Sequence, residues 1–358
     1  MKKHIKKLVF NHKYLKYIYF FMANIKNEHF IDDIFKIKED PLLLNVYNRG
    51  DLYPNNYICE IKPVKTSEGF FAVFRRTLNG LFFADYINAI PYIYYTHDFM
   101  YYEKDEVNGT SNPFEYYFEP VSNILEDEVK QAKLVIEYTN RNNQLAEAMN
   151  NNYGLCHHIP YHIQDEYIEA MGIIMGKYIN LNKTTHNYIY GSIDGIICTK
   201  KTLAVHARGT DFRKHYKFHP NMVQPSDYFP IIDKAIKDGN FQQIFLATDD
   251  CDILTLFKKR YNEMLVYYDD VFRGKSSEGI HTTNVLRENH HYLLGCEVLR
   301  DMYTLASCDG FIAGMSQVSM AARITKLSFG KNFEYFRLID KGIAEDGEIY
   351  SSIYSSRK

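Results

Sequence analysis

The sequence predicts an α/β protein made of two facing domains, and three observations support this prediction. Strands alternate with helices along the second half, a pattern typical of parallel sheets. The first half opens with a β–α–β segment of the same kind. The chain has 358 residues, which exceeds what one hydrophobic core usually supports, so two domains are expected.

The composition is that of a globular protein with reduced thiols. Apolar residues make up 46% and charged residues 24% of the chain, and the formal net charge is −2. No overall field therefore favours a nucleic acid as partner. The 6 cysteines include no CxxC pair, which is typical of a cytosolic protein rather than of a disulfide framework.

The basic N-terminus starts like a secretory signal but does not continue as one. The stretch after Met1–Lys7 is interrupted by His12, Lys13 and Lys16, and no continuous apolar segment of spanning length follows. We therefore expect a cytoplasmic protein. The aromatic and basic residues 14–22 suit weak peripheral docking at the inner face of the membrane, or alternatively a core helix or strand.

The first half contains the predicted β–α–β segment and a longer helical stretch. A strand is predicted at 57–62 and another at 90–95, with a helix between them that begins after Gly69. Gly80 is expected to weaken that helix. Residues 122–150 are predicted to be helical because of their amphipathic spread and acidic start.

An aromatic segment bracketed by prolines, 112–120, lies between the β–α–β segment and the predicted helix. It would either line an acceptor site, since sugars stack on aromatic rings, or pack against the sheet. A further helix is predicted at 164–180.

The second half repeats the strand–helix pattern at lengths typical of a parallel sheet. Its strands and helices are predicted, in chain order, at 202–205, 226–237, 243–247, 253–261, 264–267, 289–307, 310–313 and from Ser316. We place the domain limits at 1–187, 188–330 and 331–358, with the last segment expected to pack back on the first domain.

A charged cluster follows the first strand of the second half. His206, Arg208 and Asp211 come in quick succession across a turn that Gly209 permits. Ligands of open α/β sheets bind outside the carboxyl ends of the strands, so an arginine there suggests an anionic ligand such as a phosphate. The alternative is a surface loop with a local Arg–Asp pair.

The last predicted helix begins with Ser316 and Gln317, directly after a glycine. The free N–H groups of a first helical turn, together with the Ser316 hydroxyl, suit a phosphate. A plain serine N-cap explains the same residues equally well.

Asp301 lies on the shoulder of the apolar face of the 289–307 helix. A carboxylate there is unfavourable unless it is paired. The partner would be a lysine or arginine of the protein, or the donor edge of a guanine, whose N1–H and N2–H₂ match two carboxylate oxygens.

Two clusters resemble metal sites, and we expect no metal at either. Asp249–Asp252 offers a DxD pattern, but an acidic N-cap accounts for it as well. His158 and His162, near Cys156, have the spacing of a helical metal pair, but Pro160 makes a regular helix unfavourable.

Separated motifs in this half resemble those of the GT-B fucosyltransferases. The motifs stand in the same order as in that family: His206-Ala-Arg-Gly-Thr-Asp, Phe218-His-Pro, Ile244-Phe-Leu-Ala-Thr-Asp-Asp, Asp301 and Ser316-Gln-Val-Ser. They are most similar to the α1,6-fucosyltransferases, including bacterial nodulation enzymes, and more distantly to protein O-fucosyltransferases. The resemblance covers about 202–325; the first half is matched only loosely, through Gly69–Gly80.

The resemblance implies a GT-B fold of two Rossmann-like domains with a cleft between them. It also implies an inverting, metal-independent transfer of fucose from GDP-fucose, without a cofactor, to a glycan or glycolipid acceptor in bacterial surface polysaccharide or lipid-linked glycan synthesis. The oligomeric state is not implied.

The implied residue roles follow the motif positions. Arg208 would neutralise charge on the departing β-phosphate. His206 would help to hold the diphosphate, Asp301 would bind guanine, and Ser316, with Gln317 beside it, would contact phosphate. The aspartates at 211, 249 and 250 would order the site.

The chain departs from the family pattern at two places. Gly209 stands where the family has a second arginine, and Lys214-His215-Tyr216 stand where an acidic base is found. His215 is therefore a candidate general base, with Asp211 as the competitor.

Three alternatives to fucosyl transfer stay open at this point. They are a GT-B enzyme with another donor such as GDP-mannose or ADP-heptose, a non-catalytic GDP- or glycan-binding protein, and, more remotely, a metal hydrolase.

Overall fold

The computed structural model describes residues 46–63, 68–139, 165–197, 199–209, 216–274 and 287–347, with the single residues 15 and 22. These residues form a four-stranded and a five-stranded sheet with helices packed on them. The predicted α/β class, with one largely parallel sheet in each half, is confirmed.

The first half contains four strands and four helices among its described residues. In chain order they are β1 (Val46–Tyr47), β2 (Ile58–Lys62), α1 (Phe70–Tyr86), β3 (Ile90–Ile93), α2 (Glu126–Val129), β4 (Val135–Thr139), α3 (Asp165–Tyr178) and α4 (Lys183–Ile197).

The described elements of the second half alternate between strand and helix to the end, with one short 3-10 turn before the third strand. In chain order its elements are β5 (Thr202–His206), α5 (Pro225–Gly239), β6 (Gln243–Ala247), α6 (Cys251–Tyr261), a 3-10 turn (Asn262–Met264), β7 (Leu265–Val266), α7 (His290–Ser307), β8 (Gly310–Gly314), α8 (Gln317–Ser328) and β9 (Tyr335–Ile339).

The second sheet has the order β7-β6-β5-β8-β9, and all its strands are parallel. The chain builds outwards from β5 in one direction and then returns to add β8 on the other side. The carboxyl ends of β5 and β8 therefore border the crevice at the topological switch point, where ligands of such sheets bind.

The first sheet has the order β1-β4-β2-β3, with only β1 antiparallel. Helix α1 packs closely on it at Gly80, where an added Cβ would lie 2.6 Å from Cγ2 of Ile61. Gly80 is thus a point of close helix–sheet contact as well as a residue of low helix propensity.

The prediction of a helix over 122–150 is wrong for its described part. Only α2 is helical, and β4 then runs between β1 and β2. Val135, Ile136 and Tyr138 are buried in this strand, so the β-branched and aromatic residues fill a central strand rather than one face of a helix. Residues 140–150 lie outside the described part.

The aromatic segment 112–120 packs into the core. Phe114, Tyr116, Tyr117 and Phe118 are all at most 1% exposed, so these rings are not available to stack on a sugar. The packing alternative therefore accounts for this segment.

The predicted domain limits need two corrections. Helix α4 is continuous through the limit at 187/188, and residues 335–339 form β9, which pairs with β8 of the second sheet. The backbone pairs between Phe218 and Ala344 and between Asn221 and Gly342 continue this attachment. The described part of the C-terminal segment thus belongs to the second sheet, because an apolar strand completes its edge there.

Candidate functional site

A cavity lies at the switch-point crevice and is lined mainly by the second half. It encloses about 660 Å³, counting space open to solvent. Its lining residues are Tyr101 from the first half and, from the second, His206, Arg208, Ala247, Thr248, Asp249, Val271, Phe272, Leu294, Glu297, Val298, Asp301 and Val318. The structure thus brings together four predicted site residues: His206, Arg208, Asp249 and Asp301.

Arg208 is oriented by the neighbouring strand. Its Nη1 lies 3.4 Å from Oδ2 of Asp249, and its side chain is 27% exposed. Asp249 also accepts a hydrogen bond from the backbone N–H of Gly209 at 2.9 Å through Oδ1. The carboxylate after β6 therefore fixes both the cation and the turn after β5.

Asp250 has a structural position at the start of α6. It is fully buried, and its Oδ1 accepts from the backbone N–H groups of Asp252 at 2.8 Å and Ile253 at 3.1 Å. This is the N-cap geometry that the sequence offered as the alternative to a metal site. Among the described residues, no group of three or more potential metal ligands is found.

Gly209 is required by the packing of Asp250. A Cβ at position 209 would overlap the Asp250 side chain and lie 2.6 Å from its Cγ. A second arginine at this place would need a different backbone path. The absence of a second arginine at position 209 therefore follows from the close approach of the turn after β5 to the turn after β6.

His206 is buried and joins the two strand ends at the switch point. Its Nδ1 lies 3.3 Å from Oγ of Ser316. Burial lowers the pKa of His206 to about 3, and the nearby charge of Arg208 adds to this effect. The imidazole is therefore neutral at physiological pH and can bind a phosphate only by hydrogen bonding.

Tyr228 is a residue at the crevice that the sequence did not single out. Its hydroxyl donates to the backbone carbonyl of His206 at 3.1 Å and accepts from the N–H of Gly314 at 3.1 Å. A helix residue therefore ties the ends of β5 and β8 together. Tyr228 is the one tyrosine of α5, and no motif in the sequence marks it as a contact between two strands.

Ser316 is the N-cap of α8. Its Oγ accepts from the N–H of Ser319 at 3.0 Å, and the Ser319 hydroxyl in turn accepts from the N–H of Ser316 at 3.0 Å. The N-cap alternative accordingly describes its local geometry, which also places the first turn of α8 at the crevice. Gln317 begins the helix and does not line the cavity.

Asp301 faces the cavity from α7 and is 9% exposed. Among the described residues it has no hydrogen bond or ion pair. Arg300 instead binds Asp270, at 3.0 Å from Nη1 to Oδ2, and Arg273 donates to the carbonyls of Thr248, Tyr268 and Val271. Burial raises the pKa of Asp301 to about 7, although Arg273 and Arg300 partly offset the rise.

Glu297, one turn before Asp301 on α7, also lines the cavity and was not predicted. It accepts from Nη1 of Arg287 at 2.6 Å and from the N–H of Phe272 at 3.2 Å. Its charge is therefore compensated by protein groups. The spacing from Asp301 is the sequence signal that would have indicated it.

Two predicted site residues, and the histidine cluster at which no metal is expected, lie outside the described part of the chain. Asp211 and His215 fall within 210–215, and the cluster of Cys156, His158 and His162 falls within 140–164. Their assignments stay predictions. No helix of the described residues is long and apolar enough to cross a bilayer.

Comparison with known proteins gives matches only among solved structures; no family model and no curated protein matches the chain. The chain is similar to NodZ α-1,6-fucosyltransferase soaked with GDP-fucose, with 15% identity over 75% of this chain and 92% of that chain and a TM-score of 0.46. For NodZ from Bradyrhizobium the identity is 15%, the coverage 75% and 92%, and the TM-score 0.42. For POFUT1 in complex with GDP-fucose the identity is 11%, the coverage 79% and 98%, and the TM-score 0.43.

Gly209→Ala is expected to destabilise the protein by about 1–3 kcal/mol, because the new methyl group overpacks the Asp250 side chain. Urea unfolding measures this difference. Asp250→Gly removes the atoms that would collide while leaving a tolerated N-cap residue. Gly209→Ala should therefore lower the free energy of unfolding by less in the Asp250→Gly background than in wild type. An equal decrease in both backgrounds would show that the collision is not its cause.

Asp301→Asn is expected to raise the melting temperature at pH 8 and to change it little at pH 5. The folded pKa of about 7 lies above the unfolded value of about 3.9. The folded state thus binds the proton more tightly, and this group's contribution to stability falls as pH rises from about 4 to 7. Calorimetry across this pH range tests whether the melting temperature of Asp301→Asn rises relative to wild type as the pH increases. Asp194→Asn, at an exposed position of α4, is the control for the loss of one carboxylate elsewhere on the protein.

Proposed function

We propose that the chain is an inverting, metal-independent glycosyltransferase that transfers fucose from GDP-fucose to a glycan acceptor. The observation that carries the proposal is one cavity lined by Arg208, an arginine at a strand end, and by Asp301, a buried carboxylate that has no hydrogen bond or ion pair within the described part of the chain. The first group suits a diphosphate and the second suits a guanine base. A nucleoside diphosphate contains both.

Asp301 supports guanine over the other common bases. An ionised carboxylate only accepts hydrogen bonds, so it pairs best with a base edge that carries two adjacent donors. Guanine offers N1–H and N2–H₂ side by side, whereas adenine has an acceptor beside its amino group and uracil has one N–H between two carbonyls. Glu297 is held by Arg287, which leaves Asp301 as the carboxylate for the base.

Arg208 supplies the charge that the departing GDP needs. Its planar guanidinium suits two phosphate oxygens and stabilises the negative charge that develops on the β-phosphate. Neutral His206 and the first-turn N–H groups of α8 add hydrogen-bond donors at the same crevice. Asp249 and Asp250 are both engaged by protein groups, which supports a reaction without a divalent metal.

The acceptor side follows from the motif resemblance. The acceptor would be a glycan or glycolipid of bacterial surface polysaccharide or lipid-linked glycan synthesis, and the protein would act in the cytoplasm with weak docking at the inner membrane face. His215 or Asp211 would take the proton from the acceptor hydroxyl. An oxocarbenium-like transition state needs little help from a base.

A panel of sugar nucleotides tests the donor. Purified protein should release GDP from GDP-fucose and show little release from GDP-mannose, ADP-heptose or UDP-sugars. Release only from UDP- or ADP-sugars would contradict the guanine assignment. Tight GDP binding without transfer to a broad acceptor set would favour a non-catalytic GDP-binding protein, an alternative that the loss of a second cation at Gly209 motivates.

Arg208→Ala should lower turnover with GDP-fucose by roughly 10²–10³-fold, since it removes an electrostatic stabiliser of the leaving group. The control is Arg260→Ala, which removes an exposed arginine of α6 that pairs with Asp233 of α5 and does not line the cavity. Initial rates of GDP release, with circular dichroism to verify folding, measure the effect. Near-normal turnover of the Arg208 variant would remove this residue from the mechanism.

A further inference from the structure

The first turn of α7 is capped by a residue of the first half. Asn289 precedes the helix in a left-handed conformation with φ of 50°, and its side chain makes no capping hydrogen bond. Instead, Oε1 of Glu103 accepts from the backbone N–H of Tyr292 at 2.9 Å. A carboxylate at this end is favourable because the first N–H groups of a helix lack intrahelical partners and carry positive partial charge.

Further contacts join the first turn of α7 to residues of the first half. The Tyr117 hydroxyl donates to the carbonyl of Tyr292 at 3.1 Å, and the two rings stack with their centroids 5.4 Å apart. Asn108 donates through Nδ2 to the Tyr292 hydroxyl at 3.3 Å. A Cβ at Gly295 would overlap the Tyr117 hydroxyl and lie 2.5 Å from Cζ. The helix therefore lies directly against the 103–117 segment.

The same helix forms one wall of the cavity. Leu294, Glu297, Val298 and Asp301 line it from α7, at spacings that place them on one helix face. Tyr101, just before Glu103 in sequence, lines the cavity from the first half. The placement of the first helical turn therefore sets the position of this whole wall.

We propose that Glu103 is a positioning residue for donor binding: its carboxylate caps α7 across the domain junction and so holds Leu294, Glu297 and Asp301 at the cavity. The nucleotide part of this inference rests on the proposed function. The capping part rests on the contacts at Tyr292 alone.

Glu103→Ala tests the inference against two related variants. Glu103→Gln keeps an acceptor oxygen at the same place, and Glu106→Ala removes an exposed glutamate of the same segment. Loss of a helix cap of ordinary strength corresponds to a change of about fivefold to tenfold in affinity. By calorimetry, Glu103→Ala should bind GDP weaker by this factor, whereas Glu103→Gln and Glu106→Ala should stay within about twofold of wild type.

The kinetic constants separate positioning from simple loss of folded protein. Weaker donor binding with an intact Arg208 should raise KM for GDP-fucose and leave kcat nearly unchanged. A purely structural defect would lower kcat with the amount of active enzyme and leave KM as it was. An unchanged KM in Glu103→Ala would overturn the proposal.

Hydrogen exchange tests the cap without any ligand. In free protein, the amides of residues 290–296 should exchange faster in Glu103→Ala than in wild type and at the wild-type rate in Glu106→Ala. If wild type bound no nucleotide, the proposed function would be wrong. Faster exchange in Glu103→Ala would still support the conclusion that Glu103 caps α7. Unchanged exchange would overturn the capping itself.

Discussion

The buried carboxylate of Asp301 is the constraint on which the candidate site depends. An ionised carboxylate in such surroundings is unfavourable unless it is paired. Two arginines lie close enough to lower its pKa, but Asp270 holds one of them and backbone carbonyls hold the other. Their charges act on Asp301 from a distance without binding it. The carboxylate thus faces the cavity without a hydrogen-bond partner among the described residues, and its burial in the ionised form lowers stability.

The opposite side of the cavity combines one positive charge with a neutral histidine. Arg208 carries the positive charge there, and burial keeps its neighbour His206 neutral. A second cation beside Arg208 would have repelled it. The close packing of Gly209 on Asp250 leaves no space for a side chain at position 209, and Asp249 lies against Arg208. Among the described residues that line the cavity, Arg208 is the one arginine or lysine.

The sequence was sufficient to predict which site residues lie together where the order of strands and helices alone determines their position. Parallel strands place their carboxyl ends along one edge, so His206, Arg208 and Asp249 could be assigned to one crevice from their positions after predicted strands. Strand β4 was missed because its apolar residues also fit an amphipathic helix, and only its place between β1 and β2 decides between the two. Strand β9 was missed because pairing with β8 is a long-range property.

The contacts across the two halves were the least predictable part of the site. Tyr101, Glu103 and Tyr292 carry no motif, and their meeting depends on how the two halves dock. Tyr228 is a similar case within the second half, since its hydroxyl reaches two strands that are distant in sequence. Such residues are recognised only from a structure because their function lies in what they hold in place.

The two halves are topological units that border one cavity and share one of three hydrophobic clusters. Buried residues of α1, α3, α7 and α8 belong to a single hydrophobic cluster, and α3 approaches α8 so closely that a Cβ at Gly172 would lie 2.9 Å from Cβ of Leu327. The cavity wall on α7 is anchored at its first turn by Glu103 and Tyr117 of the first half. A nucleotide bound by the second half would therefore meet a wall whose position the first half helps to set.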